Sequence, residues 1–472
     1  MKTGVVHLHD AANYGLRMDA SLHLSEGVRA RQKIANLPYT KEIIGKFASR
    51  IFFGNRNRRI YVSNPEHGLP FLTGAAIFKS DMAGLKFISR KYTQDIQDCI
   101  LDRGWVLITR SGTVGKCSFS NGIHKGLGGS EDIIRIVPNL RMPAEVLYAY
   151  LSSSVGYSLL TQGTFGSVIQ HIEPDYVASI EIPIFPDALQ EKVQDLVQSS
   201  ARLQEEANML DNESQQMLLN FTGLRPISQE DYNYFGIKTA NRKISTFSRN
   251  ISELSLETIN AFNYSERIRK TTEYLRKTCH CLPLSSVLDS NGIFSTGSFP
   301  RFEYKSPKSI MLINQSDIFD FHISGKYIAP RGVKTDNLVS QGEIIIAGVG
   351  TLGENETFCR VIFANEFLEG KLISGEFIRM KTNNDYPSGY LYAWLHSDYG
   401  FRLIRSIQAG TKLCRPIPKL LMKLPVPILT INQMQEIASK VVSLFSKRAQ
   451  AAQKEDEAIH LIEEEIEKWQ ES

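Results

Sequence analysis

No apolar run in the chain approaches the ~18 consecutive residues a membrane-spanning helix needs, which argues against an integral helical membrane protein. The opening residues, Met1-Lys-Thr-Gly-Val-Val-His-Leu-His-Asp10, hold no apolar signal core, so export is not expected. Cysteine is scarce: six in 472 residues (Cys99, Cys117, Cys279, Cys281, Cys359, Cys414), with no CxxC pair. Cys279-His280-Cys281 is too tight for the usual zinc spacing, so free thiols in a reducing cytoplasm are expected. Net charge is only +4, too mild to mark a nucleic-acid binder by itself. HExxH, GxSxG, Asn-Pro-Pro-aromatic and Asp-Pro-Pro-aromatic motifs are all missing, so no catalytic role is expected. A chain of this length and 42% hydrophobic content can build two to four domains, each with its own core.

Three patterns imitate chemistry. Gly348-Val-Gly350-Thr-Leu-Gly353 comes after a strand-like run and matches GxGxxG, but a dinucleotide site needs a helix next. The next run, Phe358-Cys-Arg-Val-Ile-Phe363, reads as a strand, so a tight turn is expected. Gly112-Thr-Val-Gly115-Lys116-Cys117 resembles a phosphate loop but lacks both the earlier glycine (Arg110 stands there) and the hydroxyl after the lysine. Asp289 with Glu303-Tyr-Lys305 loosely fits the carboxylates and lysine of a metal-dependent nuclease, which remains the enzyme alternative.

Repetition is what the chain does have. Gly104-Trp-Val-Leu-Ile-Thr-Arg-Ser-Gly112-Thr-Val-Gly115 is answered by Gly342-Glu-Ile-Ile-Ile-Ala-Gly-Val-Gly350-Thr-Leu-Gly353. Ser130-Glu-Asp-Ile-Ile-Arg135 is answered by Ser374-Gly-Glu-Phe-Ile-Arg379, and Leu147-Tyr-Ala-Tyr-Leu151 by Leu391-Tyr-Ala-Trp-Leu395. Ile182-Pro-Ile184 and Gln190-Glu191 recur as Val426-Pro-Ile428 and Gln435-Glu436. Order is kept throughout, with the separation drifting only from 238 residues (Gly104 to Gly342) to 245 (Gln190 to Gln435). The pattern implies a tandem duplication.

Each copy is strand-rich, opens with a helix (roughly residues 25–34 in the first), and ends in a heptad-patterned helix. The first copy's β-type runs are expected at 105–109, 133–137 and 179–184. From Leu189 the apolar seam steps 4,3,4,3 through Val193, Leu196, Ser200, Leu203, Ala207, Leu210, Ser214, Met217 and Phe221, and Thr222-Gly223 ends it. That is about 50 Å of helix at ~1.5 Å per residue. The second seam runs Ile431, Met434, Ala438, Val441, Phe445, Arg448, Ala452, Glu455, Ile459, Ile462, Ile466 and Trp469, with Arg448 and Glu455 as polar intruders of the kind that fix register. A helix resting on its own domain would show a wider stripe; two matching narrow seams could supply each other's partner.

Charge divides by region. Arg50, Arg56, Arg58 and Arg59 lie beside Phe52, Phe53 and Tyr61, and Arg402, Arg405, Lys412, Arg415, Lys419 and Lys423 gather in the second copy, whereas the C-terminal helix is acidic. The loops Gln162-Gly-Thr-Phe-Gly-Ser-Val-Ile-Gln-His171 and Gln408-Ala-Gly-Thr-Lys-Leu-Cys-Arg415 offer bare backbone N–H groups, small hydroxyls and long polar tips suited to phosphates and base edges. Candidate DNA contacts are Arg56, Arg58, Arg59, Arg110, Ser111, Lys116, Thr164, Ser167 and Gln170 in the first copy, and Lys326, Arg331, Lys334, Lys412 and Arg415 in the second.

Taken together, the ordered double set of motifs resembles the specificity (S) subunit of type I restriction-modification systems over essentially the whole chain. That resemblance implies an α+β fold of two homologous mixed α/β target-recognition domains separated by two long antiparallel coiled-coil helices with pseudo-two-fold symmetry. The corresponding boundaries are 1–186 for the first domain, 187–222 for its helix, 223–252 for a connector, 253–430 for the second domain and 431–472 for its helix. The implied partners are double-stranded DNA, two modification (methyltransferase) subunits and restriction (translocase/endonuclease) subunits, with no membrane. No cofactor is expected in this chain; S-adenosylmethionine, ATP and magnesium would be bound by the partners. A duplicated scaffold without a DNA role is the remaining alternative. The chain departs from the repeat where Asn260 stands for Asp19 and Gly348-Val349 for Arg110-Ser111, which leaves half-site identity and spacing open; the unlike loops 162–171 and 408–415 are what two heads reading different sequences would show.

Overall fold

Ser25 begins the first clearly described element: its hydroxyl accepts the Val28 N–H at 3.3 Å and caps the helix Glu26–Ala35, one residue from the expected start. The computed structural model describes residues 8, 23 and 25–470, except 57, 63, 83, 165–169, 229–246 and 354. Asp19, Ser167 and most of the connector lie outside the described residues.

The fold mixes helices and sheets in two compact units, one formed by residues 1–79, 85–205 and 450–472, the other by 80–84 and 206–449. In the first, a four-stranded antiparallel sheet runs in the order Ala48–Phe53, Ile133–Pro138, Val106–Thr109, Cys117–Phe119. A smaller sheet runs Tyr61–Val62, Lys86–Ser89, Gly68–Leu72, Gly128–Gly129, its last pair parallel. The second unit has the same main order in Leu288–Phe294, Phe377–Thr382, Ile344–Ala347, Val361–Phe363. Its smaller sheet runs Lys326–Ile328, Ile310–Ile313, Leu372–Ile373, again parallel at the end. Val106–Thr109 and Ile344–Ala347 are buried at every residue and apolar but for Thr109, as central strands covered on both faces require. The run expected at 179–184 is shorter: Ser179 closes the helix Pro174–Ser179, leaving Glu181–Pro183 to pair with Lys41–Ile43.

Helices Ala144–Ser152 and Ser154–Gln162 meet at Ser153, whose hydroxyl accepts the Gly156 N–H at 3.1 Å. Ser397 does the same for Gly400 between Ser388–His396 and Asp398–Ser406. A Cβ on Gly156 would lie 2.0 Å from the Tyr150 carbonyl oxygen, and one on Gly400 2.2 Å from that of Trp394. Only glycine permits so abrupt a helix-to-helix corner.

The two long helices are Asp187–Thr222 and Ile431–Glu467. They are not domains apart from the rest. Val193, Val197 and Ala201 share the first unit's core with Ala458, Ile462 and Ile466. Ala207 and Leu218 share the second's with Met434, Ile437, Val441, Leu444 and Phe445. The buried stripe therefore extends beyond the expected seam to Val197, Ala201, Ile437, Leu444 and Ala458. The narrow-seam expectation fails for a physical reason: each helix segment packs against its own unit as well as against its mate. Full burial of each Val, Ile or Leu among them contributes about 1.5–3 kcal/mol. In the second unit Glu206 pairs with Lys447 at 2.5 Å and Glu213 with Lys440 at 2.7 Å, so seven residues forward on one segment are seven backward on the other. These segments run antiparallel.

Both polar intruders are buried and matched. Glu455 accepts hydrogen bonds from Ser200 Oγ and Gln204 Nε2, each at 3.1 Å, and from the Tyr148 hydroxyl. In the second unit Asp211 takes the analogous role, 3.6 Å from both Arg448 Nη2 and His396 Nε2. Burial alone would lower the His396 pKa; Asp211, with Asp81, more than offsets this and the opposing charge of Arg360, so the net shift is upward. Burial likewise works to raise the Asp211 pKa, but His396 and Arg448 bring it below the usual carboxylate value of 3.8.

A raised histidine pKa contributes stability that is fully present below the ordinary value of 6.5 and is lost as pH rises through the folded value. The depressed Asp211 contributes above 3.8 and is lost as pH falls through its folded value. Urea unfolding should therefore show the second unit losing stability as pH rises above 6.5, and His396→Gln should abolish that slope. An identical slope in the variant would assign it to another group.

Candidate nucleic-acid interface

In each unit the backbone ties the glycine turn to a described part of the polar stretch that comes after the paired helices. Thr109 Oγ1 accepts the Lys116 N–H at 3.0 Å, and Gly115 N–H donates to the Thr109 carbonyl at 2.9 Å, closing the turn at 110–116. Ser111 then bridges to His171, just after the loop 163–170, and Ile172 N–H donates to the Arg110 carbonyl at 3.3 Å. In the second unit Gly350 and Cys414 exchange backbone hydrogen bonds of 3.2 and 2.7 Å. They tie the turn at 348–353 to the hairpin formed by Gln408–Ala409 and Arg415–Pro416. The strand Val361–Phe363 comes after that turn, as expected for a loop rather than a dinucleotide site.

The expected contact residues divide by exposure. Arg56, Arg58, Lys116 and Gln170 are exposed, as are Arg331, Lys334, Lys412 and Arg415; Thr164 is half-buried. Lys326 is exposed but ion-paired with Glu303. Three others are spent inside the fold. Arg110 is 3% exposed, donates to Glu173, and lies 4.3 Å from the Phe53 ring centroid. Arg59 pairs with Glu131 at 2.8 Å and Asp132 at 3.2 Å. The Ser111 hydroxyl donates to Asp132. Arg402 and Arg405 of the second basic cluster are likewise internal: Arg402 pairs with Asp398 at 2.8 Å, and Arg405 donates to the Gly353 carbonyl at 2.6 Å. Arg405 thus holds the glycine turn in place, as does Gln315, whose amide donates to the Val349 carbonyl at 2.6 Å and accepts its N–H at 3.2 Å. Neither role has a sequence signal, because both depend on which backbone group the folded chain brings near.

A strand of each main sheet carries a buried arginine. Arg379 binds Glu343 through two hydrogen bonds of 2.8 and 2.9 Å and three carbonyls besides. At the corresponding place in the first unit Trp105 replaces the glutamate. Arg135 instead donates to the carbonyls of Gly129 and Ile133 at 2.6 and 2.9 Å and lies 5.5 Å from the Phe52 ring centroid. Burial pulls its pKa down to about 10, which still leaves it charged at neutral pH.

Among the described residues no group of three or more His, Cys, Asp or Glu side chains could hold a metal ion. Asp289 accepts the Asn291 N–H at 2.9 Å, and Glu303 is held by Lys326, so the carboxylates of the nuclease alternative have separate partners. No helix among the described residues is long and apolar enough to cross a membrane.

Removing Arg110 leaves Glu173 without its ion pair and opens a gap over Phe53. Arg110→Ala should lower the unfolding midpoint by the equivalent of about 1–3 kcal/mol, whereas exposed Lys116→Ala should stay within about 0.5 kcal/mol. Thermal melts of both variants decide it; equal losses would refute the division between internal and exposed cations.

No protein-family model matches this sequence, and no curated protein does. Solved structures do. The S subunit of a type I restriction-modification system from M. genitalium is 14% identical, with 92% of this chain and 96% of that one covered and a TM-score of 0.34. The HsdS subunit from Thermoanaerobacter tengcongensis is 14% identical, covering 92% and 97%, with a TM-score of 0.28. A structure concerned with complex assembly and conformational transition of the type I R-M system is 13% identical, covering 91% and 98%, with a TM-score of 0.28. These three solved structures come from type I restriction-modification systems, one titled as an S subunit and one as an HsdS subunit.

Proposed function

We propose that the chain is the DNA-binding specificity subunit of a type I restriction-modification complex, each half reading one part of a bipartite, asymmetric DNA site. The observation that carries this is the repeated frame with unlike tips. The same glycine turn is tied to the same polar segment in both units, yet one presents Lys116 and Gln170 and the other Lys412 and Arg415. One frame with two sets of side chains is what reading two different half-sites requires. The two long helices would set the spacer between half-sites and dock two modification subunits, in the pseudo-two-fold arrangement the tandem repeat implies. One turn of B-DNA is roughly 34–36 Å, within reach of helices about 50 Å long. Adenine methylation with S-adenosylmethionine, and ATP-dependent cleavage, would reside in the partner subunits.

Selection from a pool of duplexes with a randomised core, using the full chain with its modification subunit, should enrich two short motifs separated by a fixed unread gap. No enrichment would favour the scaffold reading instead. Lys412→Ala and Arg415→Ala should each weaken binding to the selected duplex. A phosphate-contacting lysine should reduce the slope of log affinity against log salt by about 1, and a base-reading arginine should relax one position.

A further inference from the structure

The smaller sheet of the second unit carries a surface that the glycine turns do not account for. Residues 302–304 add themselves to the edge of Lys326–Ile328: Tyr304 N–H donates to the Tyr327 carbonyl and Ala329 N–H to the Phe302 carbonyl, both at 2.9 Å, around a bridge between Glu303 and Ile328. Side chains alternate along a strand and directly opposed residues share a face. Phe302, Tyr304 and Tyr327 therefore stand together on one face, while Ile328 on the other is buried against Leu312 and Leu372. The three residues are 64%, 55% and 41% exposed, whereas most of the described Phe, Tyr and Trp side chains are buried or half-buried.

The chain on either side of the rings carries exposed cations. Lys305 and Lys308 come shortly after Tyr304 in the chain and Arg331 shortly after Ala329, all exposed. The acid of the edge strand, Glu303, alternates to the opposite face, where Lys326 pairs with it. In the first unit the corresponding strands pair Tyr61 with Ile88 and Val62 with Phe87. There Tyr61 is half-buried and covered by Lys86, 5.6 Å from the ring centroid. The exposed ring face is thus particular to the second unit.

A face of adjacent aromatic rings edged by exposed positive charge is poorly matched to a protein core and well matched to nucleobases stacking on rings while lysines meet phosphates. Duplex DNA hides its base faces; single strands present them. We infer that Phe302, Tyr304 and Tyr327 form a binding platform for unpaired nucleotides of single-stranded DNA. This activity is separate from duplex readout by the turns and stands or falls independently of it.

The test is fluorescence anisotropy of a labelled dT12 oligonucleotide titrated with the full chain at low salt. Wild type binds dT12, and binding weakens as salt rises. Phe302→Ala and Tyr304→Ala each reduce affinity roughly 5- to 100-fold, the range that stacking of one base represents. Tyr304→Phe and Tyr327→Phe keep it, because the ring face and not the hydroxyl makes the contact. All of these positions are exposed, so melting curves should match wild type. Absence of dT12 binding by the wild type, or undiminished binding by both alanine variants, overturns the platform. Selection of a split duplex site by the same preparations reads the proposed function separately.

Discussion

Neither compact unit is complete without a segment of each long helix. The first unit closes over Val193 and Val197 of one helix and Ile462 and Ile466 of the other, and the second over Leu218, Val441 and Leu444. Segments far apart in the chain must therefore meet before either core is sealed. Within each meeting place one buried acid dictates alignment. Glu455 must find Tyr148, Ser200 and Gln204; Asp211 must find His396 and Arg448. A shift of one heptad in either pairing would strand a carboxylate in an apolar interior, which costs several kcal/mol. Apolar contacts supply most of the stabilisation, and these polar layers select the register.

Around that constraint the sequence varies its contents while the frame stays. The Ser–x–x–Gly helix corner, the central apolar strand and the strapped glycine turn recur in both units. The buried arginine recurs too, but its charge is balanced differently: by Glu343 in one unit, by carbonyl oxygens and an aromatic ring in the other. Substitution has been accepted wherever a compensating partner could be found within the same space. The exposed tips, facing no such demand, have diverged further, and in the proposed function they are what would distinguish one half-site from the other.

How much of this could be read from residues alone depended on whether the cause was local. The helix start near Ser25, the strand after Gly353, and the end of a helix at Thr222-Gly223 are set by neighbours a few positions away. Arg448 and Glu455 were visible as polar breaks in a heptad seam, though their partners were not. Arg59, Arg110, Arg402 and Arg405 looked like surface cations because their acceptors lie 4 to 73 residues off and come near only on folding. The seam looked narrower than the buried face because Val197 and Leu444 contact their own unit, a demand no helical period reveals. The platform at Phe302, Tyr304 and Tyr327 escaped notice because its rings come from two strands whose pairing the sequence does not announce.

In the proposed function the paired helices would set the gap between the two half-sites, so their length should be legible in the DNA. Inserting one heptad between Glu205 and Glu206 and one between Ala449 and Gln450 keeps both polar layers intact and adds about 10 Å of helix. Mapping methylated sites in cells carrying this variant with its modification subunit measures the consequence. The account predicts the same two half-sites with the gap lengthened by about 3 base pairs; the same half-sites at an unchanged gap would contradict it.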